Sequence, residues 1–419
     1  MLSKELNERL TRIGPGTPAG DLYRRYWMPV AATSQLVGPS RIRVRILGED
    51  LVLFRDGSGT LGLVGEQCPH RGCSLLPGIP EQRGLRCAYH GWLFSETGEV
   101  LEQPAEPAES VFRNRVRAKA YPVEELGGLV FAYMGPDPAP LLPRFDLFVE
   151  PGGLRHIGVT HLPVNWLQIM ENSLDPVHFE WLHGHYGNHV FASKGMPQTT
   201  NTTAKHIKIA FDRFEYGIIK RRLVEGRDET ADEWAIGHPI VFPNMLRLGL
   251  GPGVSAFQIR VPVDDTNTLI WWYTFFHRPD KNAQQESVPV FELPYKTEDG
   301  ETITDTIDGQ DMMVWVSQGP VYDRSTEHLG TSDRGVVAYR RMLQEEMAHV
   351  AEGKDPVGVV RDPSINDSIS LPHERHVHFS GGPSYRDHLM RTSGMRYSPL
   401  QETILEFMLE EAVEPAEVP

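Results

Sequence analysis

The chain has 419 residues, enough for about two domains on a prior of roughly 150 residues each. Its apolar and charged fractions are those of an ordinary globular protein, and no apolar run approaches the roughly 20 residues of a membrane span. The net charge of −15 argues against nucleic acid as a partner. That charge is uneven: Arg41 to Lys119 holds eleven Lys/Arg and ten Asp/Glu, a balance of +1, which leaves −16 for the rest. A near-neutral face of this kind suits docking of an acidic redox protein; chance clustering explains it equally well. The start, Met1 to Leu10, lacks a signal-peptide apolar region, and all three cysteines fall between positions 68 and 87. Three cannot pair completely, so metal binding in the cytoplasm is expected rather than a disulfide scaffold.

In chain order, Met1 to Leu10 reads as a helix, and Gly14-Pro15-Gly16-Thr17-Pro18 breaks it. Residues 1–21 are expected to form an N-terminal helical segment packed on the later domain. Arg41 to Ile46 alternates as a half-buried strand does. Leu51 to Arg55, Leu61 to Val64, Arg113 to Lys119 and Leu129 to Met134 add further strands, so residues 22–136 read as a small β domain. Gly135 to Pro140, rich in Pro and Gly, closes it. Residues 137–419 are mixed. Strands are expected at 156–160, 205–213, 216–224, 255–263 and 268–277. Val164 to Trp181 looks mainly helical, Val336 to Ala351 has amphipathic helical spacing, and a last helix is expected over 403–413 before a disordered end. The fold class is α+β, an antiparallel sheet backed by helices.

Two stretches carry chemistry. The first is Cys68-Pro69-His70-Arg71-Gly72-Cys73, followed by Cys87-Ala88-Tyr89-His90-Gly91-Trp92. Read as ligands it is C-x-H, then C-x-x-H. Two thiolates and two imidazoles in this order suit a Rieske [2Fe–2S] centre, in which one iron takes two Cys and the other two His. The rival, a structural zinc site, favours like residues within each pair, whereas each pair here mixes Cys with His. Cys73 is surplus to four ligands and reads as a small buried apolar residue.

The second stretch runs from Glu171 to His185. Oxygen-activating non-haem iron sites use two His and one carboxylate and leave positions open. Asp175 and His178 are three apart and share a helix face. His183 would not face the same way in an ideal helix. His185, seven residues after His178, would. Gly184 permits a local break. Asp175-Pro176 also reads as a helix start with Asp175 as N-cap. His189 reads as a surface histidine.

The quoted Cys/His stretches resemble the signature of the Rieske non-haem iron oxygenases. Leu10 to Pro18, with Tyr26-Trp27, resembles the phthalate 4,5-dioxygenase-like branch, which contains ring hydroxylases and aryl O-demethylases. The resemblance extends to about residue 350. It implies an all-β Rieske domain followed by a helix-grip-like antiparallel-sheet catalytic domain. It also implies a [2Fe–2S] cluster on Cys68, His70, Cys87 and His90, and a mononuclear Fe(II) that uses O₂. The family pattern D-x-x-H-x-x-x-x-H selects His183 over His185, giving His178 and His183 as iron ligands. By resemblance the third ligand is Asp311, with Asp305 and Asp308 as nearby competitors. Asp175 would join His90 of one subunit to His178 of the next in a homotrimer, and Asn172 would lie near the iron without firmly binding it. Cys73 departs mildly from the branch and puts no ligand in doubt.

Pocket residues are poorly specified. Gln168 and Ile169 lie before the ligands, and Asn244, Arg247 and Trp271 lie on later strands; Arg247 offers a fork for a substrate carboxylate. Trp271 and Trp272 read more readily as core. No flavin or nicotinamide motif is evident, so electrons from NAD(P)H are expected through a separate reductase, with a ferredoxin as a further candidate carrier. Similarity around Leu162 to Leu167 and Trp181 to Gly184 favours O-demethylation of a methoxy-aromatic acid. The alternatives are ring hydroxylation or dihydroxylation of a phthalate-like acid, and a pure electron-transfer Rieske protein.

Overall fold

The computed structural model describes residues 1–107, 109–198, 202–374, 384–391 and 394–410. Three small sheets precede one large one. Trp27–Ala32 pairs with Leu129–Tyr133, which pairs with Val123–Leu126, so the two ends of the first β region close on each other. Ser40–Ile46, Glu49–Arg55, Leu61–Gly65 and Ala120–Tyr121 form a second sheet. The third is made of short strands, Ile79–Pro80, Leu85–Arg86, Leu93–Phe94 and Val100–Glu102. Short strands suffice there because a separate apolar core of Val52, Phe54, Leu75, Leu85, Trp92 and Phe94 lies beneath them.

The later region is built on an eight-stranded sheet. Its centre is the antiparallel set Leu154–Leu162, Asn267–Phe276, Val254–Asp264 and Met245–Gly249. His206–Phe214, Gly217–Val224 and His238–Val241 extend one side. The helices Trp166–Ser173 and Arg334–Ala351 bury Trp166, Leu167, Met170, Tyr339 and Leu343 in the main core with this sheet. Trp271 and Trp272 are core, as expected, and the Trp272 indole N–H donates to Thr160 Oγ1 at 2.9 Å. A buried ion network fastens the first of these helices. Arg324 and Arg340 both donate to Glu171, and Arg324 reaches Asn7 Oδ1 of the helix Lys4–Thr11 at 3.1 Å.

Two expectations fail in instructive ways. The alternation over 113–119 is not a strand: Phe112–Arg115 is a 3₁₀ turn, and only Arg117 bridges, to Glu99. Of the residues alternating with its arginines only Ala118 is fully buried, with Val116 partly so, and the segment pairs with no strand beyond the Arg117 bridge among the described residues. The helix expected over 164–181 is interrupted. It ends at Ser173, the chain turns through Leu174 to Val177, and Phe179–Tyr186 forms a π-helix. The last helix runs Gln401–Leu409, and residues 411–419 lie outside the described residues. Among the described residues, no helix is long and apolar enough to cross a membrane.

Candidate metal centres

The two Cys/His loops have the same backbone pattern. In the first, Gly72 N–H donates to Cys68 O at 2.8 Å and Cys68 N–H to Cys73 O at 2.8 Å. In the second, Gly91 N–H donates to Cys87 O at 3.1 Å and Cys87 N–H to Trp92 O at 2.8 Å. Gly72 and Gly91 both have φ of 71°, a left-handed conformation that favours glycine. Cys68 and Cys87 are buried, and the half-buried His70 and His90 rings lie 4.4 Å apart. Trp92 stacks on His70 at 4.5 Å and fixes its plane. Burial and the neighbouring Cys87 push the Cys68 thiol up to about 11. Burial, His70 and Arg71 hold His90 below its ordinary value, and so neutral. His70 Nδ1 is buried without a hydrogen bond among the described residues. A Cys68 thiol that resists ionising alone and an orphaned imidazole nitrogen are what a thiolate–imidazole iron–sulfur cluster would relieve. Cys73 is half-buried against this core rather than fully buried.

The second centre depends on the π-helix. Bonds from i to i+5 widen the turn, so residues five apart stack where an α-helix would splay them. His183 therefore joins His178, their rings 5.3 Å apart, while the exposed His185 turns outward beside Trp181. A Cβ on Gly184 would meet Thr202 O at 2.5 Å, so the chain passes where only glycine fits. Asp311, on the helix Ile307–Ser317, completes the group. Its Oδ1 lies 3.2 Å from His183 Nε2 and 3.7 Å from His178 Nε2, and one ligand atom from each residue falls within 4.8 Å of the others.

Both imidazoles are oriented through their other nitrogen. His178 Nδ1 lies 2.5 Å from Asp175 O, and His183 Nδ1 lies 2.9 Å from Gln310 Oε1. Each Nδ1–H is spent on an oxygen, which leaves each Nε2 lone pair free to ligate. Burial drives His178 down to about 3, despite Asp311. Burial also opposes charge on His183, but the closer Asp311 outweighs it and raises its pKa. Burial disfavours the Asp311 carboxylate, and His183, His178 and Arg260 overcome that and keep it ionised. Two imidazoles and one carboxylate, His178 half-buried and the other two buried, converge and fit a divalent iron with open positions.

Asp308 is buried at the cavity beside this group, outside the trio, and Asp305 pairs instead with Lys194 and Arg396. Asp175 accepts Val177 N–H on Oδ1 at 2.8 Å, a cap-like contact, and its side chain is 28% exposed. Asn172 lines the cavity; His189 is exposed.

The cavity above the trio encloses about 100 Å³ and is partly open to solvent. Gln168, Asn244 and Arg247 do not line it. Gln168 clamps Gly319 O and Tyr322 N–H, and Asn244 donates to Arg260 O. Arg247 is held by Leu248 O and Asp146 over the Phe257 ring. These polar groups are spent on backbone and core. The polar wall is instead Lys220, Arg222, His238, Gln258, Arg260 and Glu374. The sequence carried a signal for the first two: Lys220 and Arg222 sit two apart, hence on one face of the strand Gly217–Val224, among buried apolar neighbours.

Residues 26–122 match the Rieske [2Fe-2S] domain family, and residues 295–372 match the LigXa C-terminal domain-like family. The 5,5'-dehydrodivanillate O-demethylase oxygenase subunit of Sphingobium sp. (strain NBRC 103272 / SYK-6) is 42% identical, over 89% of this chain and 87% of its own length. The chain belongs to the Rieske non-haem iron oxygenases. The phthalate 4,5-dioxygenase oxygenase subunit of Pseudomonas putida is 32% identical over 85% of this chain and 89% of its own. The solved structure of Pseudomonas putida CBB5 NdmA shares the fold, with a TM-score of 0.60 and 18% identity over 81% of this chain and 96% of its own. As a Rieske oxygenase the chain is an oxidoreductase that uses a [2Fe–2S] cluster, mononuclear iron and O₂.

Proposed function

We propose that this oxygenase removes a methyl group from a methoxy-substituted aromatic acid, giving a phenol and formaldehyde. The observation that carries the reading is a converging two-histidine, one-carboxylate trio at a cavity with apolar and cationic walls, in a chain 42% identical to an O-demethylase oxygenase subunit. Cys68, His70, Cys87 and His90 would hold the cluster; His178, His183 and Asp311 would hold the iron. When bound, these groups supply electron transfer and O₂ activation. Electrons come from NAD(P)H through a separate reductase, with or without a ferredoxin. The methoxy C–H becomes C–OH, with O₂, two electrons and two protons yielding also one water. The resulting hemiacetal loses formaldehyde to leave the phenol.

The protein's share is positioning. Gln310 and the Asp175 carbonyl fix the two imidazoles. Leu246, Leu248 and Leu250 offer apolar wall for a ring. Asp175, partly exposed, would bridge His178 to His90 of the adjacent subunit in a homotrimer, with Asn172 beside the iron. We divide the chain into an N-terminal helical segment (1–21), a Rieske domain (22–136) and a catalytic domain (137–419), and place the enzyme in the cytoplasm.

The test is an NADH-driven assay with a surrogate reductase across methoxybenzoates, biaryl methoxy acids and phthalates. Formaldehyde in step with NADH supports O-demethylation. A hydroxylated phthalate without formaldehyde would replace it with the ring-hydroxylation reading, favoured by the 32% identity to a phthalate dioxygenase subunit.

A further inference from the structure

His238 and Lys220 face each other across two paired strands and both line the cavity. Directly opposed residues on neighbouring strands project to the same face, with Cβ atoms about 5 Å apart. Both residues are buried, Lys220 with 7% and His238 with 9% of its surface exposed. Nothing in the O-demethylation chemistry above uses either.

Their hydrogen-bonding capacities differ and complement each other. His238 Nδ1 lies 3.1 Å from Glu374 Oε1, and Glu374, though burial opposes its charge, is kept ionised by His238 and Arg222. A carboxylate only accepts, so the proton sits on Nδ1. Burial holds His238 down to about 4, so at neutral pH the ring is uncharged and Nε2 is a bare acceptor. That Nε2 is buried without a partner among the described residues. The Lys220 ammonium likewise has no hydrogen bond or ion pair among the described residues. Burial and Arg222 lower it to about 8, which leaves it protonated at neutral pH. One cavity wall thus presents a donor and an acceptor side by side, neither with a hydrogen-bond partner among the described residues and the acceptor fully buried. Such groups are costly unless a ligand pairs them.

We propose that Lys220 and His238 are specificity residues that hold a phenolic hydroxyl of the substrate, Lys220 donating to the oxygen and His238 Nε2 accepting its proton. A carboxylate or a methoxy group offers only lone pairs. Either would satisfy Lys220 and set its lone pairs against the bare Nε2. A hydroxyl satisfies both. The inference rests on the aromatic-substrate reading of the cavity and narrows it to acids with a free phenol beside the methoxy group.

The experiment is calorimetric titration of the holoenzyme with matched pairs. One pair is vanillate and veratrate, in which the hydroxyl is methylated; the other is dehydrodivanillate and its methyl ether. At least one free phenol should bind about tenfold or more tightly than its ether, because the ether leaves a buried acceptor unpaired. In His238→Phe that ratio should shrink to about threefold or less, and Lys220→Met should weaken the phenol more than the ether. Retention of the Rieske spectrum certifies each variant. A wild-type ratio within about twofold for both pairs, binding of neither member of either pair, or an unchanged ratio in a folded His238→Phe overturns the anchor. The wild-type ratio decides alone if a variant does not fold. Formaldehyde release from the same compounds in the NADH-driven assay with the surrogate reductase separates the two readings. A preserved binding ratio without formaldehyde keeps the anchor and removes O-demethylation; formaldehyde from both members at equal affinity does the reverse.

Discussion

The two metal centres are built on opposite plans. The Rieske loops each carry their own Cys, His and glycine, close the same two backbone hydrogen bonds and differ little from what a short peptide dictates. The iron trio draws on two distant elements. His183 and the Gln310 that orients it are 127 positions apart, and His183 reaches His178 only because the intervening turn is a π-helix. A local site survives much change elsewhere in the molecule, whereas a site assembled from distant elements depends on every contact that fixes their relative position.

The sharpest way to break that comparison is His178→Ala. Turnover should vanish and iron should fall from about three to about two per chain, with the Rieske EPR signal intact. Loss of both signals would mean that the centres are not independent. Next in size is Asp175→Asn. Both metals should remain bound while turnover falls by roughly 10–100-fold, since the substitution removes the carboxylate charge 3.8 Å from His178 Nδ1 and spares the carbonyl that orients the ring. Wild-type turnover would remove Asp175 from the electron path. Gln310→Ala should weaken iron binding by about tenfold, read as a shift in iron titration, and leave the cluster's absorption unchanged. An unchanged titration would mean that the Nδ1 contact does not orient His183.

The smallest effect is on pH. His238 is held neutral down to about 4, below the ordinary histidine value. A depressed pKa means that the unfolded chain takes up protons first as pH falls. The stability from this group is therefore fully present above about pH 6.5 and declines as pH drops toward 4. Thermal midpoints measured between about pH 7.5 and about pH 5 should fall, and His238→Phe should flatten part of that slope. A midpoint that rises on acidification would contradict the neutral-imidazole assignment.

Much of the strand pattern was legible, by alternation where one face is buried, as in Ser40–Ile46, and by apolar runs where both are, as in Glu49–Arg55 and Asn267–Phe276. The strands His238–Val241 and Met245–Gly249 were not, since both are short and Pro243 lies between them. The pocket was the least legible part. Arg247 looked like a carboxylate fork, but Asp146 and Leu248 O already occupy it, while Lys220 and His238 were passed over.

The amino-acid order alone determined which residues are chemically equipped. The cluster motif, the Asp175–His178 pair and the resemblance that named Asp311 all stand in the linear chain. Only tertiary structure decided which of these groups meet. Helical spacing favoured His185, and a widened turn chose His183. Proximity along the chain left Asp305, Asp308 and Asp311 as rivals, and a helix face chose among them. Lys220 and the His238 that Glu374 half-pairs became neighbours only when two strands aligned. Side-chain chemistry is local, but burial and the choice of partner belong to the whole fold.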